Sequence, residues 1–279
     1  MTVEAILKKC EKLLSDHHKE SVALESRVIV GHVLKKSNSD LLRDRETELD
    51  SYQEAEVLRL MGERVSGKPL AYLIGHREFY GLSFTVNQNV LVPRQETELI
   101  IDTVLDSTSV DHGPINIVDV GTGSGCIAVA LAVSLKNAKI SAIDISNKAL
   151  SVARQNCRYH LVENRVDLIQ GDILRNFFGL ADAIVANLPY IRSDEIQYLP
   201  SEVLSEPKLA LDGDYDGLRF QREFLKQSKT RLKKSGFLAM EMDPQQSATL
   251  EIIAKAIFPD KTVTSITDAG RHSRVLFVK

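Results

Sequence analysis

Asp119-Val120-Gly121-Thr122-Gly123-Ser124-Gly125 follows Ile115-Asn116-Ile117-Val118, β-branched but for Asn116, and precedes the apolar stretch Cys126-Ile127-Ala128-Val129-Ala130. A strand that runs into a glycine turn and then a helix is the opening unit of a doubly wound sheet. Its turn lies in the crevice where such sheets bind ligands. The glycines let the backbone turn sharply and approach a ligand closely. The spacing is GxGxG, whereas dinucleotide folds that seat a pyrophosphate on the helix N-terminus use GxGxxG. Asp119, ahead of the glycines, suits a ligand that carries an ammonium group. Taken alone, the motif is also compatible with a plain glycine turn.

Downstream, strand and helix patterns alternate. Strands are expected at 115–120, 139–143, 166–169, 183–186, 236–242, 262–267 and 275–278. Helices are expected at 126–135, 147–160, 216–234 and 245–257, the second begun by Ser146 as N-cap. The fold class is therefore α/β: a doubly wound, mostly parallel seven-stranded Rossmann-like sheet with helices on both faces. Upstream the texture is helical. Ile6, Leu7, Cys10, Leu13 and Leu14 recur at helical spacing, as do Ala23, Leu24, Val28 and Ile29, and 54–65 is amphipathic and closed by Gly67 and Pro69. Between the two textures, Glu78 to Val86 alternates, followed by Asn87-Gln88-Asn89 and Val90-Leu91-Val92-Pro93. This reads as a linking β-hairpin whose turn is the polar Asn-Gln-Asn segment. The expected division is a helical domain at 1–75, a hairpin linker at 76–95 and a catalytic domain at 96–279.

The 279 residues are 43% hydrophobic and 26% charged, an ordinary globular composition, with a formal net charge of -3. A dedicated nucleic-acid binder usually carries a basic balance. Its lack favours a protein or small-molecule substrate, and no direct nucleic-acid binding is expected. Cys10, Cys126 and Cys157 stand far apart, with neither CxxC nor HExxH spacing, so no metal is expected. The N-terminal residues lack a secretory apolar region and no stretch has the length of a membrane span, so the expected location is cytoplasmic, without a membrane partner.

Two further positions extend the glycine loop into a ligand site. Asp144 ends the next strand, on the order of 20 residues beyond the loop, where a carboxylate accepts from both hydroxyls of a ribose. Asp172 follows Gly171 at the third strand's end and reaches an adenine amino group, although a solvated loop aspartate fits nearly as well. Together with Gly121, Thr122, Gly123, Ser124 and Gly125 they fit an adenosine ligand.

The fourth strand ends in Ala186-Asn187-Leu188-Pro189-Tyr190-Ile191. A strand-ending turn would use Asn and Pro too, but this one faces the crevice of the glycine loop. A planar amide nitrogen is a poor nucleophile because its lone pair is delocalised into the carbonyl. Its NH₂ group needs two acceptors when buried. The Asn187 side-chain oxygen supplies one and the Leu188 main-chain carbonyl the other, which turns the lone pair toward the methyl of a sulfonium donor. Tyr190 offers an aromatic face to a planar substrate. Orientation of this kind contributes on the order of 7–11 kcal/mol in favourable cases. The methylated nitrogen is strongly acidic before it loses its proton, so release to water suffices and no general base is expected.

These motifs, with Arg64-Val65-Ser66-Gly67-Lys68-Pro69-Leu70-Ala71-Tyr72-Leu73, Arg77-Glu78-Phe79-Tyr80-Gly81-Leu82, Leu91-Val92-Pro93-Arg94-Gln95-Glu96-Thr97-Glu98, Glu206-Pro207, Asp216-Gly217-Leu218 and Asp268-Ala269-Gly270-Arg271, make the chain resemble the bacterial release-factor glutamine methyltransferases of HemK/PrmC type over nearly its whole length. The resemblance implies methyl transfer from S-adenosylmethionine to the glutamine side-chain amide of the Gly-Gly-Gln motif in peptide chain release factors, the protein partner. It implies that Gly121 to Gly125, Asp144, Asp172, Ile173 and Asn187 bind the donor, that Asn187, Leu188, Pro189 and Tyr190 bind the glutamine with Asn187 and Tyr190 catalytic, and that 94–98 helps to close the pocket. The family usually reads Asn-Pro-Pro-Tyr, and here Leu188 takes the second place. Because only its carbonyl acts in this reading, Leu188→Pro is expected to be tolerated, provided that the leucine has no buried apolar contact and its N–H no native partner. Glu241-Met242-Asp243-Pro244-Gln245 also departs from the family, which more often has a glycine there. The alternatives are an adenine or RNA amino-group methyltransferase, which shares the tetrapeptide, and a non-catalytic cofactor-binding protein. A nicotinamide dehydrogenase leaves the tetrapeptide unexplained.

Overall fold

In the computed structural model, which describes residues 1–15, 21–108 and 113–279, the chain divides into two units. The first comprises Met1–Gly75 and Leu199–Ser205. It contains α1 (Val3–Ser15), α2 (Val22–Leu34), α3 (Asn38–Arg43), α4 (Ser51–Val65) and α5 (Leu70–Ile74). Val3, Ile6, Cys10 and Leu14 form the buried stripe of α1 and meet Ile29, Val30, Val57, Leu60 and Met61 in one core. Capping boxes start α3 at Ser37 with Asp40, and α4 at Asp50 with Gln53, pairing otherwise unsatisfied N–H groups reciprocally. Arg64 is nearly fully buried and holds Glu25 at 2.7 Å and Glu202 at 2.9 Å. That ion cluster groups Leu199–Ser205, far along the chain, with the helical unit.

The second unit comprises His76–Tyr198 and Glu206–Lys279. It opens with β1 (His76–Phe79) and β2 (Leu82–Thr85), paired antiparallel with Phe79 opposite Leu82. The hairpin turn is therefore Tyr80-Gly81 and not Asn87-Gln88-Asn89 as the polar composition predicted. Both turn residues have positive φ, 51° and 69°, as the two-residue turn that matches strand twist requires, and glycine meets that requirement without strain. The chain continues through α6 (Glu98–Ser107), β3 (Ile115–Val120), α7 (Cys126–Ser134), β4 (Ala138–Asp144), α8 (Asn147–Tyr159), β5 (Val166–Gln170) and β6 (Ala181–Ala186). After α9 (Ser201–Leu204), in the segment that groups with the helical unit, come α10 (Arg219–Ser228), β7 (Leu232–Glu241), α11 (Ser247–Ile257), β8 (Val263–Thr267) and β9 (Ser273–Val278). The helix expected at 216–234 is shorter at both ends. Asp216 accepts from Leu218 N at 3.1 Å and pairs with Arg222, so it precedes the helix. Leu232 already pairs with Ala181, and a register shift in the β6–β7 ladder carries the strand on to Phe237.

The strands form one seven-stranded sheet in the order β5-β4-β3-β6-β7-β9-β8, parallel from β5 to β7, with β9 antiparallel to both its neighbours. Period-2 alternation sends Ile117, Ala183, Val185, Phe237 and Ala239 into a core with α6 and α7. Val118, Val120, Ile184, Ala186, Leu238 and Met240 enter the opposite core with Phe224 and Leu225 of α10 and Leu250 of α11. Apolar residues on both faces of a strand are what a sheet covered on both sides demands. Among the described residues no helix is long and apolar enough to cross a membrane.

Candidate active site

The chain enters the sheet at β3, steps outward through β4 and β5, and returns to β6 on the other side of β3. This reversal is a topological switch point, and the carboxyl ends of β3 to β6 open onto one cleft beside it. Its space is about 1100 Å³ including the open mouth. Gly121, Thr122, Gly123 and Ser124 line it from β3, Asp144 from β4, Asp172 and Ile173 after β5, and Asn187, Leu188 and Pro189 after β6. Gly125 is not in the lining; it ends the loop, and its N–H donates to Thr122 O at 2.8 Å.

The loop's donors turn inward. Gly121 and Thr122 N–H groups both reach Ile143 O, at 2.8 and 2.9 Å, and Gly123 N–H reaches Asp144 Oδ2 at 2.9 Å. A phosphate cradle would aim such donors at the ligand; here they are spent on the chain itself. Asp119 lies wholly buried beneath the loop, outside the cleft lining, where its Oδ2 accepts from Thr122 Oγ1 at 2.6 Å and Ala128 N at 3.2 Å. It organises the loop, where the sequence suggested an ammonium partner. Burial pushes its carboxyl up to about 7, against the hydroxyl and amide that favour the charged form. Asp144 also receives Ser146 N–H at 2.8 Å, which fixes both oxygens at the cleft wall; burial raises its pKa despite the N–H groups of Ser146 and Gly123. Asp172 is paired with Arg175 at 3.0 Å. Ile173 lines the cleft and stands in the left-handed region, φ 57°, a strained conformation for a β-branched residue.

Gly121 has φ 73°, and a Cβ there would lie 3.0 Å from Leu188 Cδ2 and 3.3 Å from Asn187 O. The glycine turn and the β6 tetrapeptide are thus packed against each other, and the tight approach together with the positive φ favours glycine. Leu188 is 6% exposed and belongs to the core shared by Val120 and Met240. Its side chain is a packing element, contrary to the reading in which its carbonyl alone matters. The following carbonyls are occupied: Gln221 Nε2 donates to Pro189 O at 3.0 Å and Gln246 Nε2 to Tyr190 O at 2.9 Å. Among the described residues none donates to Leu188 O.

Asn187 Nδ2 donates to Thr97 Oγ1 at 3.0 Å, and Thr97 Oγ1 donates to Glu241 Oε2 at 2.6 Å. The amide nitrogen is thereby held by the protein, which leaves Oδ1 as the side chain's acceptor. Tyr190, expected to present its ring to a substrate, is absent from the lining; its hydroxyl donates to Glu241 Oε1 at 3.4 Å. Thr97 and Glu241 were not singled out as site residues by sequence reasoning. The available signal was their place in segments 94–98, which matches the family, and 241–245, which departs from it. Arg94 and Thr97 line the cleft, and Arg94 pairs with buried Glu206 at 2.6 Å, which also accepts from Val92 N at 3.3 Å. Two motifs far apart in sequence, Val92-Pro93-Arg94 and Glu206-Pro207, are one structural contact.

Comparison with known proteins gives a consistent picture. Residues 5–75 match the PrmC N-terminal domain and residues 96–214 the methyltransferase small domain. A release factor glutamine methyltransferase of Moorella thermoacetica is 39% identical, covering 97% of this chain and 96% of the relative. One of Bacillus anthracis is 33% identical, covering 100% and 99%. Among solved structures, the hMettl16 catalytic domain with a MAT2A 3'UTR hairpin superposes with a TM-score of 0.56 at 16% identity, covering 78% of this chain and 80% of that one, a likeness of fold.

Proposed function

The chain belongs to the release factor glutamine methyltransferase family, and on that premise we propose that it transfers a methyl group from S-adenosylmethionine to the side-chain amide nitrogen of the glutamine in the Gly-Gly-Gln motif of peptide chain release factors. The observation that carries the reading is the orientation of Asn187. Its Nδ2 is bound to Thr97, so its Oδ1 is the acceptor at the same cleft that holds the glycine turn and Asp144.

The cleft fits the donor. S-adenosylmethionine is cationic at sulfur and carries no phosphate, and the loop's inward-turned amides with the carboxylates of Asp144 and Asp172 suit such a ligand better than a pyrophosphate. When bound, it supplies an electrophilic methyl group. Asp144 would accept from the ribose hydroxyls, Asp172 and Ile173 would border the adenine, and Gly121 to Ser124 would form the floor. Asn187 Oδ1 and Leu188 O would each accept one N–H of the glutamine amide, withdrawing both protons from the nitrogen's reacting face. Gln221 and Gln246 fix the backbone that follows, so this pair of acceptors is set before substrate arrives. Proton loss from the methylated nitrogen to water completes the reaction. The helical unit, matched by the PrmC N-terminal model, would dock the release factor, encountered in the cytoplasm.

The test is intact-mass analysis of purified release factor after incubation with enzyme and donor, followed by peptide mapping. One added methyl on the glutamine of Gly-Gly-Gln is the expected result. Modification of another residue, or methylation of RNA in its place, would overturn the assignment.

A further inference from the structure

The Asn187 amide makes its bond to Thr97 with one polarity only if something dictates the direction. A hydroxyl has one proton. If Thr97 gave it to Asn187 Oδ1, the amide would turn over and face the cleft with Nδ2, a donor opposite the donors of the substrate. Glu241 lies at the far end of the chain of bonds, 2% exposed on β7, with Thr97 at 2.6 Å from Oε2 and Tyr190 OH at 3.4 Å from Oε1. A carboxylate offers acceptors alone, so it draws the Thr97 proton to itself and leaves Thr97 Oγ1 to accept from Asn187 Nδ2.

We infer that Glu241, acting as a buried carboxylate through Thr97, is the positioning residue that fixes Asn187 with its oxygen toward the substrate amide, with Tyr190 securing the other carboxylate oxygen. This rests on the glutamine methylation proposed above and adds to it the residue that sets the polarity of its acceptor. Protonation of Glu241 adds a donor to the relay. Glu241 can then donate to Thr97, Thr97 to Asn187 Oδ1, and the direction is no longer imposed. The groups facing Glu241 are Thr97 and Glu96 from the turn before α6, Tyr190 after β6 and Arg274 on β9. Burial dominates and raises the carboxyl to about 7; Glu96 adds to the rise, while Thr97, Tyr190 and Arg274 oppose it. The relay therefore titrates near neutrality. Its orienting form is present above about pH 7 and is lost as pH falls.

The relay is read directly by NMR on the full chain without substrate, following the Glu241 carboxyl carbon and the Asn187 side-chain amide protons. Both should titrate with one midpoint, and in Thr97→Val the Asn187 response should vanish while Glu241 still titrates. Thr97→Ser should restore it. Turnover on release factor at saturating donor gives the second readout. In wild type it should fall as pH drops through about 7. Glu241→Gln, which has one acceptor and one donor where two acceptors stood, should lose that acid limb and turn over about tenfold more slowly at pH 8. Thr97→Val should be slower by about ten- to a hundredfold, with donor affinity changed by less than about threefold. Asn187 signals indifferent to pH, or unchanged in Thr97→Val, would overturn the relay. So would wild-type turnover with an intact acid limb in Glu241→Gln. Wild-type enzyme that leaves the release factor unmodified, with the coupled NMR titration present, would instead overturn the substrate assignment alone.

Discussion

Leu188 replaces a proline usual in the family, and truncating it is the perturbation that separates a role for its carbonyl from a role for its side chain. At 6% exposure, the side chain is removed from water almost completely, within the core that contains Val120, Ala186 and Met240. Buried Leu→Ala changes commonly cost about 2–5 kcal/mol. Leu188 also borders the cleft, which water can enter to refill the space, so the lower part of that range, about 2–3 kcal/mol, applies. For a unit of this size that lowers Tm by about 4–12 °C. The same truncation removes the methyl carbon that stands nearest a Cβ built on Gly121, at 3.0 Å, so the glycine turn loses its support. Leu188→Ala should therefore lower donor affinity as well as stability. Leu188→Pro keeps the carbonyl and biases Asn187 toward extended backbone, yet it gives up most of the packing and should be less stable than wild type. Urea denaturation, donor calorimetry and methyl transfer at saturating donor check each part. A Leu188→Ala enzyme with wild-type stability and donor affinity would refute the packing argument and restore the backbone-only reading.

Asn187→Ala leaves one glutamine N–H and the Thr97 hydroxyl oxygen without a partner, so turnover should fall by about a hundredfold or more while donor affinity changes by less than about threefold; an active variant would remove the tetrapeptide from the chemistry. Asp144→Ala takes away the proposed ribose acceptor together with the anchor of Gly123 N–H and Ser146 N–H, and calorimetry should show donor binding weaker by about tenfold or more in a protein that still unfolds cooperatively. Asp119 gives a pH signature: its folded-state pKa is raised to about 7, from about 3.9 when unfolded. Between those values the folded state binds the extra proton, so stability falls as pH rises from about 4 to about 7 and then levels. Asp119→Asn should flatten part of that slope in urea titrations and gain most over wild type at pH 8; an unchanged slope would show that Asp119 is ionised throughout.

What could be read from the sequence was what local chemistry decides. The run 115–120 became β3 because its β-branched residues, with burial continuous from Ile117 to Val120, suit a central parallel strand. Ser146 caps α8 through Ala149 N at 3.2 Å, as a serine ahead of a helical pattern should. The strand ends that carry Gly121, Asp144, Asp172 and Asn187 came from periodicity alone, and a doubly wound sheet brings such ends to one edge whatever the side chains. The hairpin turn was misplaced because polarity was weighed over backbone conformation: Tyr80-Gly81 looks apolar, but its two positive φ angles make the turn. The relay behind Asn187 was invisible for another reason. Its bonds join residues 90 and 144 positions apart, and no spacing rule reaches that far. Nothing in a linear pattern shows that Asp119 lies under the loop it introduces, or that Leu188 packs on Gly121; both follow from which face of the sheet a residue meets once a neighbouring strand is in register. A strand's period fixes the alternation of its side chains, whereas the pairing with β4 and β6 fixes what each face touches. The proposed acceptor motif could thus be named from sequence, but the group proposed to orient it required the register of the β6–β7 ladder and the turn that delivers Thr97 beside it.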